Sequence, residues 1–139
     1  MRKVALADVE QLVTMMTEFY SDSPYKLNPR RATEAFRLLL ADERLGYVWF
    51  IQANSKDVGN VVVTLCYSIT YGGLSAIVDD FFIRREFRGT GLGKAAMAEV
   101  RSFCAGCGVR AIHVETGQIM RLPWRCIGGQ DLWIRATFI

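Results

Sequence analysis

The sequence predicts an α/β chain: one central mixed sheet, an antiparallel meander followed by a parallel β-α-β unit, with helices on both faces. Three observations carry this. Apolar residues recur at helical spacing before Gly46, and from Tyr47 the pattern turns to β-rich runs. Gly72-Gly73 is a hairpin turn between two such runs. A glycine-rich loop and a helix-forming segment then separate the run ending at Ile83 from the one starting at Arg110. Strand, helix, strand in that order implies a parallel pair joined by a right-handed crossover.

Taken in order, Val4-Ala5-Leu6 reads as a short first strand. Asp8 reads as an N-cap with Gln11 as its capping-box partner. Val9, Leu12, Val13, Met16, Phe19 and Tyr20 fall on one helical face, which predicts a helix over 8–20. Pro24 marks a loop. Asn28-Pro29 reads as the N-cap and first position of a second helix, with Ala32, Ala35, Phe36, Leu39 and Leu40 on its apolar face. Strands follow over 47–53 and 58–70, separated by the turn residues Asn54 to Asp57, and Gly59 marks a bulge. The next strand is Leu74 to Ile83. A helix is expected over 91–105, ended by Gly106 and Gly108, then a strand over 110–115. In the tail, Gln118 to Leu122 reads as a short helix stopped by Pro123, Gly128-Gly129 as a turn, and Leu132 to Ile139 as a last strand.

Length and composition bound the function. At 139 residues one domain, 1–139, is expected, and 51% hydrophobic content is enough for a real core. The net charge of +3, with no basic block on a helix, admits an anionic small ligand but gives no reason to expect nucleic acid. No apolar run has transmembrane length, so no membrane partner is expected. Arg2 and Lys3 are followed too soon by Asp8 and Glu10 for a signal peptide, so a cytoplasmic location with reduced cysteines is expected. Cys104-x-x-Cys107 sits at a helix C-terminus, where the dipole opposes a thiolate, and reads as structural. The remaining cysteines and His113 are too scattered for a metal site, and His113, between Ile112 and Val114, reads as a core residue. Trp49, Phe50, Phe81 and Phe82 read as core or pocket lining.

The chemistry concentrates between Val78 and Ala96. Glycines let a loop turn tightly and bare its N–H groups, and a helix start adds orphan donors and partial positive charge. That combination binds phosphate. A P-loop needs Gly where Arg88 stands and Ser or Thr where Ala95 stands. Gly91-x-Gly93-x-x-Ala96, with Glu115 ending the next strand, mimics a dinucleotide fingerprint. The charged stretch from Arg84 to Thr90 intervenes, however, and too little chain follows Glu115 for further βα units.

Arg88-x-x-Gly91-x-Gly93, preceded by Asp79-Asp80-Phe81-Phe82-Ile83, resembles the acetyl-CoA motif of the GNAT superfamily of acyl-CoA-dependent N-acetyltransferases. The element order from Val4 to Glu115 also resembles the GNAT fold. The resemblance implies acetyl-CoA as co-substrate. Its pyrophosphate would lie on the main-chain N–H groups of Arg88, Gly89, Thr90, Gly91, Leu92, Gly93 and Lys94. Its pantetheine arm would pair with the backbone of Phe82 and Ile83, where that strand splays from its parallel neighbour. Arg84, Arg85, Arg88 or Lys94 would screen the phosphates.

The resemblance further implies transfer of acetyl to a primary amine of a small molecule or peptide by direct attack on the thioester. An alkyl ammonium has a pKa near ~10, so a proton must first leave it. A carboxylate with a raised pKa can take that proton. Asp79 matches the family's base position, with Asp80 beside it and Glu115 as a second candidate. Neighbouring strand residues face opposite ways, so only one Asp is expected in any one cavity. The family's usual proton donor to the thiolate, a Tyr late in the chain, has no counterpart, because no Tyr follows Tyr71. An alternative is therefore an impaired acyl-CoA-binding or interaction domain, with a Rossmann-like dinucleotide binder third. The family often dimerises, and Leu132 to Ile139 is a candidate strand for pairing with a second copy.

Overall fold

The computed structural model describes residues 1–21, 26–115 and 133–137; of Glu115 and residues 133–137 only the backbone is described. The elements are β1 (Arg2–Lys3), α1 (Val9–Ser21), α2 (Pro29–Ala41), β2 (Gly46–Ala53), β3 (Lys56–Ser68), β4 (Gly73–Ile83), α3 (Leu92–Gly106), β5 (Ala111–Glu115) and β6 (Trp133–Thr137). They form one sheet in the order β1-β2-β3-β4-β5-β6. The first four strands pair antiparallel, and β4-β5 and β5-β6 are parallel. The meander and the parallel crossover are as the sequence predicts, and β6 lies within the segment expected to be the last strand. The tail helix and the Gly128-Gly129 turn lie outside the described residues.

The start of the chain differs from expectation. The first strand is Arg2–Lys3, and Leu6–Asp8 is a turn of 3-10 helix. Asp8 does not cap α1 with Gln11. Its carboxylate accepts from the Ala5 N–H at 2.9 Å and from Arg2 at 2.8 Å. Gln11 instead donates to Asp57, which also accepts from Arg2 at 2.7 Å and from Gln52 at 3.0 Å. These charge-assisted bonds tie the N-terminus to the β2–β3 hairpin and hold the Asp8 carboxyl below its ordinary range. At α2 the expected cap is present: the Asn28 side chain accepts from the Arg31 N–H at 3.1 Å, and Pro29 opens the helix.

Two helices cover one face of the sheet and one covers the other. Leu12, Val13 and Met16 of α1 and Phe36 of α2 pack on Val48, Phe50, Val62 and Phe82. Val100 and Cys104 of α3 pack on Trp49, Val61, Val63, Ala76, Val78 and Ile112, while Ala96 meets Ile51, Val58 and Ile83. Each large aliphatic side chain buried this way contributes about 1.5–3 kcal/mol. His113 is only half-buried, with its ring 5.5 Å from that of Tyr71, so it is not the core residue its neighbours suggest.

Two bulges shape the meander. Ile51 pairs with Gly59 and Gln52 with Asp57, so Val58 is an extra residue beside Gly59. Val62 pairs with Asp80 and Val63 with Val78, so Asp79 is an extra residue in β4. A bulge shifts the inward-outward alternation of everything after it. Beyond Asp79, Phe82 therefore joins the α1 face, and Phe81 and Ile83 face α3. At Gly59 the strands approach so closely that an added Cβ would lie 2.2 Å from the Phe82 carbonyl oxygen. Gly59→Ala should therefore lower stability by about 1–3 kcal/mol, as overpacking does. Urea unfolding would check this, and an unchanged midpoint would contradict the packing.

Candidate active site

The end of β4 and the start of α3 form the site. Pairing between β4 and β5 runs only from Ser75↔Ala111 to Val78↔Val114. Strand β4 continues to Ile83, paired with β3 but not with β5. Asp79 to Ile83 therefore present one strand edge without a strand partner among the described residues. Unpaired strand edges are templates for an extended ligand.

This edge leads into the glycine loop. Arg85–Phe87 is a 3-10 turn, and Gly89 and Gly91 have φ of 75° and 88°. Such left-handed conformations favour glycine. None of the described residues lies within 4 Å of a Cβ added at either position. Helix α3 starts from Gly91, which has no side chain to cap it, and Ala95 N–H closes the first turn on the Gly91 carbonyl at 3.0 Å. The N–H groups of Gly89, Thr90 and Gly91 have no partner among the described residues. At Gly93 a Cβ would make only ordinary contacts with Ile83 and Phe81, so the fold itself does not demand glycine there. Bare N–H groups, open glycines and a helix N-terminus fit a diphosphate.

Three expected anion contacts are engaged elsewhere. The Arg88 main-chain N–H donates to the Arg85 carbonyl at 3.2 Å, which leaves Gly89 to Lys94 as the candidate cradle. The Arg88 guanidinium donates through Nε to the Ile83 carbonyl at 2.7 Å and lies 5.9 Å from the centroid of the Phe82 ring. Arg84 is held by Glu18 through two bonds of 2.8 Å. That pairing lowers the Glu18 pKa and raises that of Arg84. Arg85 and Lys94 are exposed and carry no ion pair among the described residues, so they are the cations best placed to meet phosphate.

The two aspartates occupy different environments because of the bulge. Asp79, the extra residue, is exposed. Asp80 faces α1 and accepts from the Tyr20 hydroxyl at 3.0 Å through Oδ1. Burial pushes the Asp80 carboxyl up to about 6; the Tyr20 hydrogen bond opposes the rise and the Asp79 charge adds to it. Glu115 ends β5 opposite Thr137 of β6, past the last residue that pairs with β4, and its side chain lies outside the described residues.

The sequence reading missed Tyr20. It ends the apolar stripe of α1, and helical spacing groups it with that stripe, although a tyrosine hydroxyl away from water requires a partner. Burial, then the Asp80 charge, push its pKa up to about 12. Cys104 is buried, and that burial pushes its thiol up to about 11, in keeping with a structural role. Among the described residues no three His, Cys, Asp or Glu side chains converge as a metal site would require.

The order of elements and the β4–loop–α3 arrangement define an acetyltransferase fold, and the chain matches the Acetyltransferase (GNAT) family over residues 11–119. The protein belongs to that family. It is similar in structure to an integron cassette protein from the mobile metagenome of Cole Harbour Salt Marsh: 41% identity, TM-score 0.80, over 93% of this chain and 88% of that one. A predicted acetyltransferase from Clostridium acetobutylicum, solved with acetyl-CoA, matches at 15% identity and TM-score 0.72 over 91% of this chain and 94% of that one. An aminoglycoside acetyltransferase from an uncultured soil metagenomic sample, solved with sisomicin, matches at 15% identity and TM-score 0.66 over 86% of this chain and 76% of that one. At that identity the last two show the shared fold alone. No curated protein matches the chain in sequence.

Proposed function

We propose that this protein transfers acetyl from acetyl-CoA to a primary amine of a small molecule or peptide. The observation that carries the reading is the end of β4–β5 pairing at Val78↔Val114 while β4 runs on into the glycine loop. The edge from Asp79 to Ile83, without a strand partner among the described residues, suits the amides of a pantetheine arm. Gly89 to Lys94 suit the diphosphate, with Arg85 and Lys94 beside it. When bound, the thioester supplies an electrophilic carbonyl and a thiolate leaving group. The solved relative from Clostridium acetobutylicum was crystallised with acetyl-CoA, which supports the choice of donor.

The acceptor enters from the α1 side, away from the diphosphate, near the hairpin that carries Tyr71, Gly72 and Gly73. Asp80 takes the ammonium proton, and the neutral amine then attacks the thioester. With a pKa of about 6, Asp80 is ionised at neutral pH, yet it is a stronger base than an ordinary carboxylate. Asp79, exposed beside it, adds negative charge that attracts a cationic acceptor. Glu115 is a second carboxylate at the far lip of the opened strands. The thiolate is protonated by water or by the acceptor, since no tyrosine follows Tyr71. That absence favours a second reading, an acyl-CoA-binding domain without turnover. Calorimetry showing acetyl-CoA binding together with no thiol release across an amine panel would select it.

The chain is further proposed to work in the reducing cytoplasm, where its exposed Cys66 and Cys107 would stay thiols. It is also proposed to pair through the outer edge of β6 with a second copy. Light scattering should then give twice the chain mass, and a monomer at micromolar concentration would end the pairing idea.

Gly91→Asp should abolish acetyl-CoA binding by placing a carboxylate where phosphate would sit, with the fold retained. Unchanged calorimetric affinity would remove the loop from the site. Asp80→Asn should cut thiol release ~10²–10⁴-fold with acetyl-CoA affinity nearly unchanged. The base must be ionised, so the wild-type rate should climb as pH rises through about 6 and then level. Equal losses of turnover and affinity would make Asp80 structural instead.

A further inference from the structure

The last turn of α1 meets every second residue from Asp80 in β4 to Arg84 just past its end. Glu18 holds Arg84, the Phe19 ring lies 5.5 Å from that of Phe82, and Tyr20 donates to Asp80. Phe19 and Tyr20 are themselves 4.8 Å apart edge to face, so the phenol is wedged in place before it meets the carboxylate. We propose that Tyr20 is the positioning residue of this site: by holding Oδ1 of Asp80 it orients the carboxylate so that the other oxygen, which has no partner among the described residues, meets the amine proton. The inference rests on the reading of Asp80 as the proton acceptor.

The geometry suits the phenol to this task. Its hydroxyl is pushed toward weaker acidity, up to about 12, so it stays protonated across the working range and is a permanent donor. A donor to the ionised form favours that form. Tyr20 thus restrains the rise that burial imposes on Asp80 and keeps it a base at neutral pH. Among the described residues, the other groups near Asp80 cannot take this role. Asp79, its neighbour on β4, is an acceptor of like charge. Val62, its partner on β3, is apolar. The aromatic rings of Phe19 and Phe82 have no donor, and Glu18 and Arg84, one step further along the contact, are paired with each other. In the transfer itself the amine N–H bond breaks to the free oxygen of Asp80, the nitrogen lone pair forms the amide bond, and the C–S bond breaks to the thiolate. Tyr20 exchanges no proton.

The test is a carbon-detected NMR titration of the aspartate carboxyls in the full chain, with the Asp80 resonance assigned by its loss in Asp80→Asn. It needs no acceptor. The wild-type midpoint should lie near 6. In Tyr20→Phe, which removes only the hydroxyl, it should move to higher pH, and the acidic limb of thiol release with the best amine of a panel should move with it. Uniform 3-fluorotyrosine incorporation keeps the hydroxyl but makes it a stronger donor, and should move the midpoint the other way. This second arm stands even should Tyr20→Phe fold poorly. A merely structural tyrosine would move Tm and leave these midpoints alone. A raised wild-type midpoint that neither change displaces would overturn the role of Tyr20. A wild-type midpoint near the ordinary 3.8 would instead overturn the assignment of Asp80 as proton acceptor.

Discussion

One extra residue in β4 organises everything described for this site. Because Asp79 has no partner on β3, the alternation of the strand is reset, and Asp80 turns toward α1 instead of following Val78 onto the α3 side. A bulge also increases local twist and bends its strand. Pairing with β5 stops at Val78, one residue before the bulge. The same irregularity thus coincides with a strand edge that has no partner among the described residues, and sets a carboxylate against a tyrosine. Sheets tolerate such defects where the remaining pairing is strong, and here β3 follows β4 on both sides of the bulge, down to Gly59↔Ile83.

The arrangement places cost and function together. A carboxylate half removed from water favours its neutral form, and that opposition to ionisation is what makes it a useful base. The fold offsets the cost with close contacts on either side of it. Glu18 and Arg84 form a two-bonded ion pair, Phe19 and Phe82 bury aromatic surface, and Asp57 gathers Arg2, Gln11 and Gln52 at the neighbouring hairpin. Arg84 reaches that same hairpin through the Asp57 carbonyl at 3.3 Å. The start of the glycine loop is therefore anchored to both α1 and the β2–β3 turn, while the N–H groups of Gly89, Thr90 and Gly91 have no partner among the described residues.

Much of this was legible in the residues. The change of period at Tyr47, the Asn28-Pro29 helix start and the strand–loop–helix run around Gly89-Thr90-Gly91 each give a local signal that tertiary packing did not override. Gly59 pointed to a bulge, and one lies beside it. The bulge at Asp79 left no such mark. No glycine announces it, and the Asp-Asp pair could be read only as two residues on opposite faces. Alternation alone does not say which of the two faces inward; the extra residue leaves Asp79 exposed and turns Asp80 toward α1. Tyr20 escaped for a related reason: its partner is 60 residues away, and a helix pattern carries no information about a contact across a sheet. The engagement of the Arg88 N–H in the 3-10 turn was equally invisible, because glycine spacing does not say which loop donors remain open.

The central claim is that the open edge of β4 and the uncapped start of α3 together hold one acyl-CoA molecule. Amide hydrogen exchange, followed by mass spectrometry with and without saturating acetyl-CoA, tests it most directly. The account predicts slower exchange in peptides covering 79–83 and 89–94, with little change in α2. Protection confined to other parts of the chain, or none at all, would contradict it.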